Sequence, residues 1–479
     1  MEERSQDNPL NVGAEERFLD PANLDAARHE YSRLFERLLA AGDTAELSRV
    51  AAELSPGDLS EVLRPLSVED TTGVLRLLGP ALVGDVLAEI DNRSLGALFA
   101  LLDNDAIADL IEEMPSDEAT DLIGELEDDR AQAILAAMEE EERGEVTELL
   151  QYPPETAGGL MGKEYAAVTL TALCQDAIAT VRGFEEDDLE EMHFVFVVDE
   201  AQRLVGRVPL VKLLLATGQT AIRDIMEADP PNVAVNLDQE AVALFFMTHD
   251  LISLPVVDEQ SRLVGRITAD DVLDVLEDEA SEDISHMAGL SMDEFGEHSP
   301  VRVARSRLPW LLGGLLGQLG SVLVLRHFER GIESMVALAF FVPLIMAMAG
   351  NIGIQTSSVV VRGLATGEMD IYRTGRHILR EVVTALMTGT VVAACLFFIA
   401  GVVIGDLQLA IVLALAMFLI ILFAALVGTG IPLMLHRIGV DPAVATGPFI
   451  TTVNDIFGLL IYLGLASTLL SLQGLPGSS

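Results

Sequence analysis

Cysteine is almost missing from this chain. Its 479 residues include only Cys174 and Cys395, which fall in different halves, so a disulfide framework and a thiolate metal site are both excluded. Basic side chains are scarce too: 29 against 75 acidic ones, with lysine only at 163 and 212, giving a net charge of -46. Nucleic acid and anionic lipid would be repelled by whatever part carries that charge, whereas cations would be drawn to it. No phosphate loop, hydrolase nucleophile motif or redox set occurs, so an enzyme is not expected. Met1 to Asp20 lacks an apolar core of signal-peptide length, and nothing there directs the amino terminus outward.

A mean hydropathy of +0.40 sits oddly with such acidity. Dividing the chain at Pro300 resolves it. Residues 301–479 hold 8 acidic side chains and 10 arginines, leaving 67 acids and 19 bases in the first 300. A water-facing acidic half precedes a near-neutral apolar half.

Within the acidic half, the apolar positions from Ser55 to Leu150 repeat every twelve residues. Leu59, Val62, Leu63 and Leu66 return as Val83, Val86, Leu87 and Ile90, then as Leu95, Leu98, Phe99 and Leu102. Ile107, Leu110, Ile111 and Met114 follow, and then Ala119, Leu122, Ile123 and Leu126. Offsets of 0, +3, +4 and +7 form one stripe of a two-turn helix. Ser55-Pro56, Ser67, Gly79-Pro80, Asp91-Asn92, Asp103 and Pro115-Ser116 suit caps and first turns. Helices this short need stacked neighbours, so the pattern predicts an α-solenoid over 24–150, after a tail of 1–23.

A pair of similar segments follows, about sixty residues apart. Phe196-Val-Val-Asp-Glu-Ala-Gln-Arg-Leu-Val-Gly206-Arg-Val matches Pro255-Val-Val-Asp-Glu-Gln-Ser-Arg-Leu-Val-Gly265-Arg-Ile, each copy reading as strand, polar turn, strand and helix. The pair resembles tandem CBS modules over 151–284, α/β units that often hold adenine nucleotides. In the second copy Gly265-Arg-Ile-Thr268-Ala-Asp-Asp271 is similar to that family's nucleotide motif, which implies Thr268 toward phosphate and Asp271 toward ribose, with ATP as the ligand. The first copy has Pro209 and Lys212 there, so one nucleotide site is expected, not two.

Ser299-Pro300 reads as an N-cap with proline at N1, opening a short basic helix to Leu308 within a linker of 285–308. Apolar stretches at 309–325, 335–361, 382–405, 407–435 and 443–472 give five spans for a bilayer of roughly 30 Å. Eight arginines, from Arg302 through Arg362 to Arg437, flank one side against Arg326 and Arg330 on the other. The amino-terminal half is therefore expected in the cytoplasm and the carboxyl terminus outside.

Asp455 is the only carboxylate well inside a span. An ionised group there costs roughly 2.5–3.5 kcal/mol unless it meets water, a cation or a partner. Thr451, Asp455, Gly458 and Tyr462 share one helical face that would suit a wet path; a buried capping role for Asp455 is the plainer alternative. In the second span Ala347, Asn351, Gln355 and Ser358 recur at helical spacing near Pro343, Gly350 and Gly353. They read equally as a kinked, cavity-lining stretch and as interhelical hydrogen-bond groups. In the cytosolic half, Asp271, Asp274 and Asp278 share a helix face, where like charges about 5 Å apart repel by roughly 3 kcal/mol at an effective dielectric near 20. A divalent ion between such faces reverses the sign; a solvated acidic face, as in salt-adapted proteins, is the simpler reading. His286 and His298 read as ordinary surface residues.

Pro343-Leu-Ile-Met-Ala-Met-Ala-Gly350-Asn351-Ile-Gly353-Ile-Gln355, Val361-Arg-Gly-Leu-Ala-Thr-Gly-Glu368 and Asp441-Pro-Ala-Val-Ala-Thr-Gly-Pro448-Phe-Ile-Thr-Thr-Val-Asn-Asp455 together resemble the MgtE family of magnesium channels. Ala349 stands where that family typically has a second glycine. The resemblance implies a multidomain membrane protein: an all-α superhelical domain, an α/β CBS pair, a connecting plug helix and five transmembrane helices over 309–479. It further implies a homodimer in the cell membrane whose pore lies between subunits, with Asp455 from both chains facing Mg2+, and Asn351 and Thr451 beside it. It implies regulatory Mg2+ at Asp271, Asp274, Glu279, Glu282 and Asp283, which closes the pore as negative feedback; Asp117, Glu118 and Asp121 are the solenoid's candidates to join them. A CBS-regulated transporter of Mn2+ or Co2+ and a nucleotide-sensing membrane receptor are the other readings.

Overall fold

The computed structural model describes residues 21–471 apart from 91, 100–101, 125, 185–188, 190–191, 291–298, 368, 370–373 and 446. The expectations for residues 1–20, Asp91, His298 and Glu368 fall outside the described residues, whereas positions 21–23, expected in the tail, open the first helix. Two compact units divide between Leu273 and Asp274.

Ten helices open the first unit: α1 Pro21–Ala41, α2 Thr44–Ala51, α3 Pro56–Leu63, α4 Val68–Leu75, α5 Pro80–Ala88, α6 Asn92–Phe99, α7 Asn104–Ile111, α8 Ser116–Gly124, α9 Asp128–Ala137 and α10 Glu140–Leu149. The punctuation read from sequence supplies the caps. Ser55 Oγ accepts from Asp58 N at 3.2 Å, Ser67 Oγ from Asp70 N at 3.2 Å, and Asp103 Oδ1 from Ala106 N at 3.0 Å. Each cap satisfies an amide that the first turn leaves unpaired. The repeated stripe becomes the core, with Leu59, Val86, Leu95, Phe99, Ile107 and Ile123 each at most 1% exposed. Alternate helices pack together, α3 on α5, α5 on α7, α7 on α9, and likewise α4 on α6 and α8 on α10, so a two-turn helix buries its single stripe against the next repeat but one.

The duplicated segment repeats its backbone as faithfully as its sequence. Strands β1 Ala167–Thr169, β2 Phe194–Val198, β3 Leu204–Pro209 and β4 Glu227–Ala228 form one sheet in that order. β5 Val233–Ala234, β6 Ser253–Val257 and β7 Leu263–Thr268 form the other. In both, a parallel pair is followed by an antiparallel hairpin with a register shift at the same place, Val197/Val198 and Val256/Val257. Asp199 and Asp258 each fold their turn by accepting two backbone amides, and Gln202 and Ser261 each take φ +62°. The turns then bond to one another, Leu204 N to Ser261 O at 3.1 Å and Leu263 N to Gln202 O at 3.0 Å, which relates the modules by a local two-fold. An acidic helix, Ala269–Ala288, leaves the second module.

Five helices of the second unit are long and apolar enough to cross a bilayer: Pro300–His327, Ala337–Ala365, Thr374–Ile404, Leu407–Arg437 and Pro448–Ser471. The stretch expected as a separate helix to Leu308 is continuous with the first span, and Pro309 lies inside that helix. Proline there forgoes one amide to the Arg305 carbonyl, too little to end a helix of 28 residues. The fourth span is central, with Leu413, Ala416, Ile420, Ile421 and Ala424 fully buried. The second, third and fifth spans pack on it, whereas the first span packs on the fifth.

Candidate ion path and acidic clusters

Glycines bring the second, fourth and fifth spans together. A Cβ on Gly428 would lie 2.7 Å from Gly353 O and 3.1 Å from Thr356 Cβ; one on Gly353 would collide with Asn454 Nδ2 and lie 2.7 Å from Ile450 Cγ2. The second span is helical throughout. Gly350 and Gly353 therefore permit close packing of the neighbouring spans. Ala349, the departure from the family pattern, is fully buried with its Cβ 3.4 Å from where Gly458 would carry one, so the glycine across the interface accommodates the extra methyl.

Asp455 is 5% exposed, and its Oδ2 accepts a hydrogen bond from Gln318 Nε2 of the first span at 2.6 Å. Asn454 beside it is fully buried, with neither amide atom bonded. Thr451, half-buried, bonds Gly447 O at 3.0 Å and touches the Gly350 position, next to Asn351. Asn351 and Gln355 are exposed on the protomer and Ser358 half-exposed, a polar stripe that no described residue covers. The face proposed from sequence divides. Gly458 packs on Ala349, and Tyr462 is fully buried with its hydroxyl donating to Leu338 O at 3.0 Å, so neither borders water.

The first acidic cluster gathers at the start of α8. Asp117 Oδ1 accepts Glu118 N at 3.0 Å, and Glu164 Oε1 accepts Ser116 N at 2.8 Å. Gly162 lies between them: a Cβ there would be 2.6 Å from Glu164 Oε2 and 3.5 Å from Asp117 Oδ2. Burial holds the Asp117 carboxyl well above the usual carboxylate range, and the charges of Asp271, Glu164 and Glu118 add to it. Asp271 Oδ2 also accepts Thr268 N at 2.7 Å and Thr268 Oγ1 at 2.8 Å, capping the acidic helix. Asp121, one turn further along α8, is exposed, as is Asp274. At the corresponding place in the first module Lys212 pairs with Glu227 at 2.9 Å.

The second cluster lies at the other end of the acidic helix. Asp283 is pushed up to about 6 by burial, then by the charges of Asp441, Glu279 and Glu282, with His286 opposing. His286 Nδ1 sits 3.0 Å from Asp441 Oδ2 and its Nε2 3.6 Å from Glu282 Oε1. His286 is thus half-buried and bridging, a correction to its reading as a surface residue, because the loop before the fifth span folds against it. Asp441 Oδ1 accepts Ala443 N at 2.8 Å, and Gly447 leaves only enough room for Met287 O, 2.5 Å from where a Cβ would stand. The helix end therefore rests on the segment that leads into the span bearing Asp455.

Sequence reasoning missed Glu164, Asp441, His286 and Gln318 as site residues. Asp441 opens the motif that ends at Asp455, and Gln318 is the one amide side chain in the first span, so both carried a signal. Among the described residues, no group of three or more His, Cys, Asp or Glu side chains is placed to hold a metal ion.

The sequence profile of MgtE, described as a divalent cation transporter, matches residues 342–465. The MgtE intracellular N domain matches 34–155 and the CBS domain 222–278. The magnesium transporter MgtE of Enterococcus faecalis is 38% identical over 327 residues, covering 68% of this chain and 72% of that protein. That of Thermus thermophilus is 38% identical over 332 residues, covering 68% and 73%. Among solved structures, the soluble part of a magnesium transporter aligns with TM-score 0.49 and 29% identity over 53% of this chain and 99% of that one. The cytosolic domain of the Mg2+ channel MgtE in complex with ATP aligns with TM-score 0.48 and 33% identity, over 51% and 99%.

Proposed function

The chain belongs to the MgtE family of magnesium transporters, and on that premise we propose that it admits Mg2+ through a pore between two copies, closed by cytosolic Mg2+ at its own acidic clusters. The observation that carries the reading is Asp455: a carboxylate deep in an apolar span, bonded by a neutral amide that leaves its charge intact. Mg2+ gives up water reluctantly and prefers oxygen, so one carboxylate from each copy holds the hydrated ion through its water shell. The uncovered stripe of Asn351 and Gln355 supports a second copy across the second span, where Asn351 and Thr451 flank the path. The arginine bias supports a cytoplasmic amino terminus and an outside carboxyl terminus in the cell membrane.

Regulation follows from repulsion. At low cytosolic Mg2+, the carboxylates of Asp117, Glu118, Glu164 and Asp271 oppose one another, as do Glu279, Glu282, Asp283 and Asp441. Divalent ions reverse both balances, with Asp274 and Asp121 adding outer charge. Because Asp271 and Asp283 lie on one helix, ordering at its start is felt at its end, against the segment before the fifth span. ATP at the second module would share Thr268 and Asp271 with the helix cap, which couples nucleotide to the same helix.

Mg2+ flux into liposomes carrying the purified chain tests the pore. Asp455→Ala is expected to abolish it; flux at the wild-type rate would remove Asp455 from the path.

A further inference from the structure

The first span meets the fifth through glycine. A Cβ on Gly317 would stand 2.5 Å from Thr452 Cγ2, and one on Gly320 2.6 Å from Ile456 Cδ1. A side chain at either position would force Thr452 or Ile456 of the fifth span to give way. Both contacts advance in the same direction along the two helices, which fixes a parallel register. Inside that register lie Gln318 and Asp455, joined at 2.6 Å although 137 residues apart.

The chemistry of this pair is specific. An ionised carboxylate offers only acceptors, so the amide must present its nitrogen, and the bond is charge-assisted. No other described residue donates to Asp455. An arginine or lysine in its place would cancel the negative charge; an aliphatic residue would leave the carboxylate to rotate and to lose its charge in apolar surroundings. Glutamine alone among these fixes the group and keeps it anionic.

We propose that Gln318 is the positioning residue of the ion-binding carboxylate: by occupying Oδ2 it holds Asp455 in one rotamer, leaving Oδ1 for the water shell of the ion. The inference rests on the reading that Asp455 meets Mg2+. It adds that the first span, through Gln318, sets how tightly the ion is held. The helix bearing Gln318 is continuous from Pro300, so its amino-terminal turns and this hydrogen bond move as one element.

The test is the Mg2+ dependence of flux in liposomes containing the full chain, recorded as half-saturating concentration and maximal rate. Gln318→Met keeps length and volume and removes the donor. It is expected to raise the half-saturating concentration about tenfold, which is about 1.4 kcal/mol, with the maximal rate within about twofold. Gln318→His restores an N–H and is expected to recover affinity to within about threefold. Should the methionine variant fail to reconstitute, Gln318→Leu gives the same reading. A half-saturating concentration unchanged in Gln318→Met or Gln318→Leu, while Asp455→Asn collapses flux, overturns the positioning role and leaves the pore assignment standing. A loss of maximal rate with unchanged affinity, unrescued by histidine, assigns Gln318 to helix packing and overturns it too. Normal flux and affinity in Asp455→Asn would sink both.

Discussion

Asp283→Asn removes one charge from the crowded end of the acidic helix without changing its shape, and the structure fixes the sign of the effect. An ordinary aspartate titrates near 3.9, whereas Asp283 is pushed up to about 6 by burial and by Asp441, Glu279 and Glu282. The folded protein therefore holds this proton more tightly than the unfolded chain does. Its contribution to stability is fully present below about pH 4 and is lost as pH rises through about 6. At full strength the gap corresponds to about 3 kcal/mol; partial exposure to solvent screens it to about 1–2 kcal/mol. At pH 7.5 without divalent ions, Asp283→Asn escapes that penalty, and a unit of this size should melt about 3–6 °C higher. With millimolar Mg2+ the order changes: the wild type gains stability because the ion replaces the proton, and the variant gains less. The assay is the fraction remaining monodisperse in detergent after heating, at pH 5, 6 and 7.5, with and without Mg2+. If Asp283→Asn melts lower than wild type in divalent-free buffer at pH 7.5, or gains as much from Mg2+, the cluster is not held apart by charge and the argument is wrong.

Asp117→Asn should act alike in the other cluster, since burial and then Asp271 and Glu164 raise its carboxyl. Trypsin cleavage within residues 24–165 of the full chain is expected to slow without Mg2+, and the Mg2+ needed for protection to rise several-fold; protection at the wild-type concentration counts against an ion there. Gly428→Ala places a methyl 2.7 Å from Gly353 O, a backbone atom with nowhere to turn, and should cost about 1–3 kcal/mol in thermal stability. Gly430→Ala, with nothing within 4 Å, is the control and should be neutral; equal melting of the two would deny the close three-helix junction.

Legibility from sequence followed distance along the chain. The twelve-residue stripe, the duplicated strand-turn-strand and the apolar runs are local periodicities, and burial acts on them directly, so the solenoid core of Leu59, Val86 and Ile107, the matched turns at Asp199 and Asp258 and the five spans were all readable. Asp455 stood out for the same reason, as a charge where the surroundings are apolar. Partners were not readable. That Gln318 holds Asp455, that Glu164 crowds Asp117, that Asp441 crowds Asp283 and that Tyr462 turns to Leu338 depend on which helix faces meet across 47 to 158 positions, and many acidic or polar residues of equal merit lay within reach. Composition placed the charges in the right segments; only tertiary packing selected which ones face each other, because Coulomb and hydrogen-bond energies are decided over a few ångströms that periodicity does not specify.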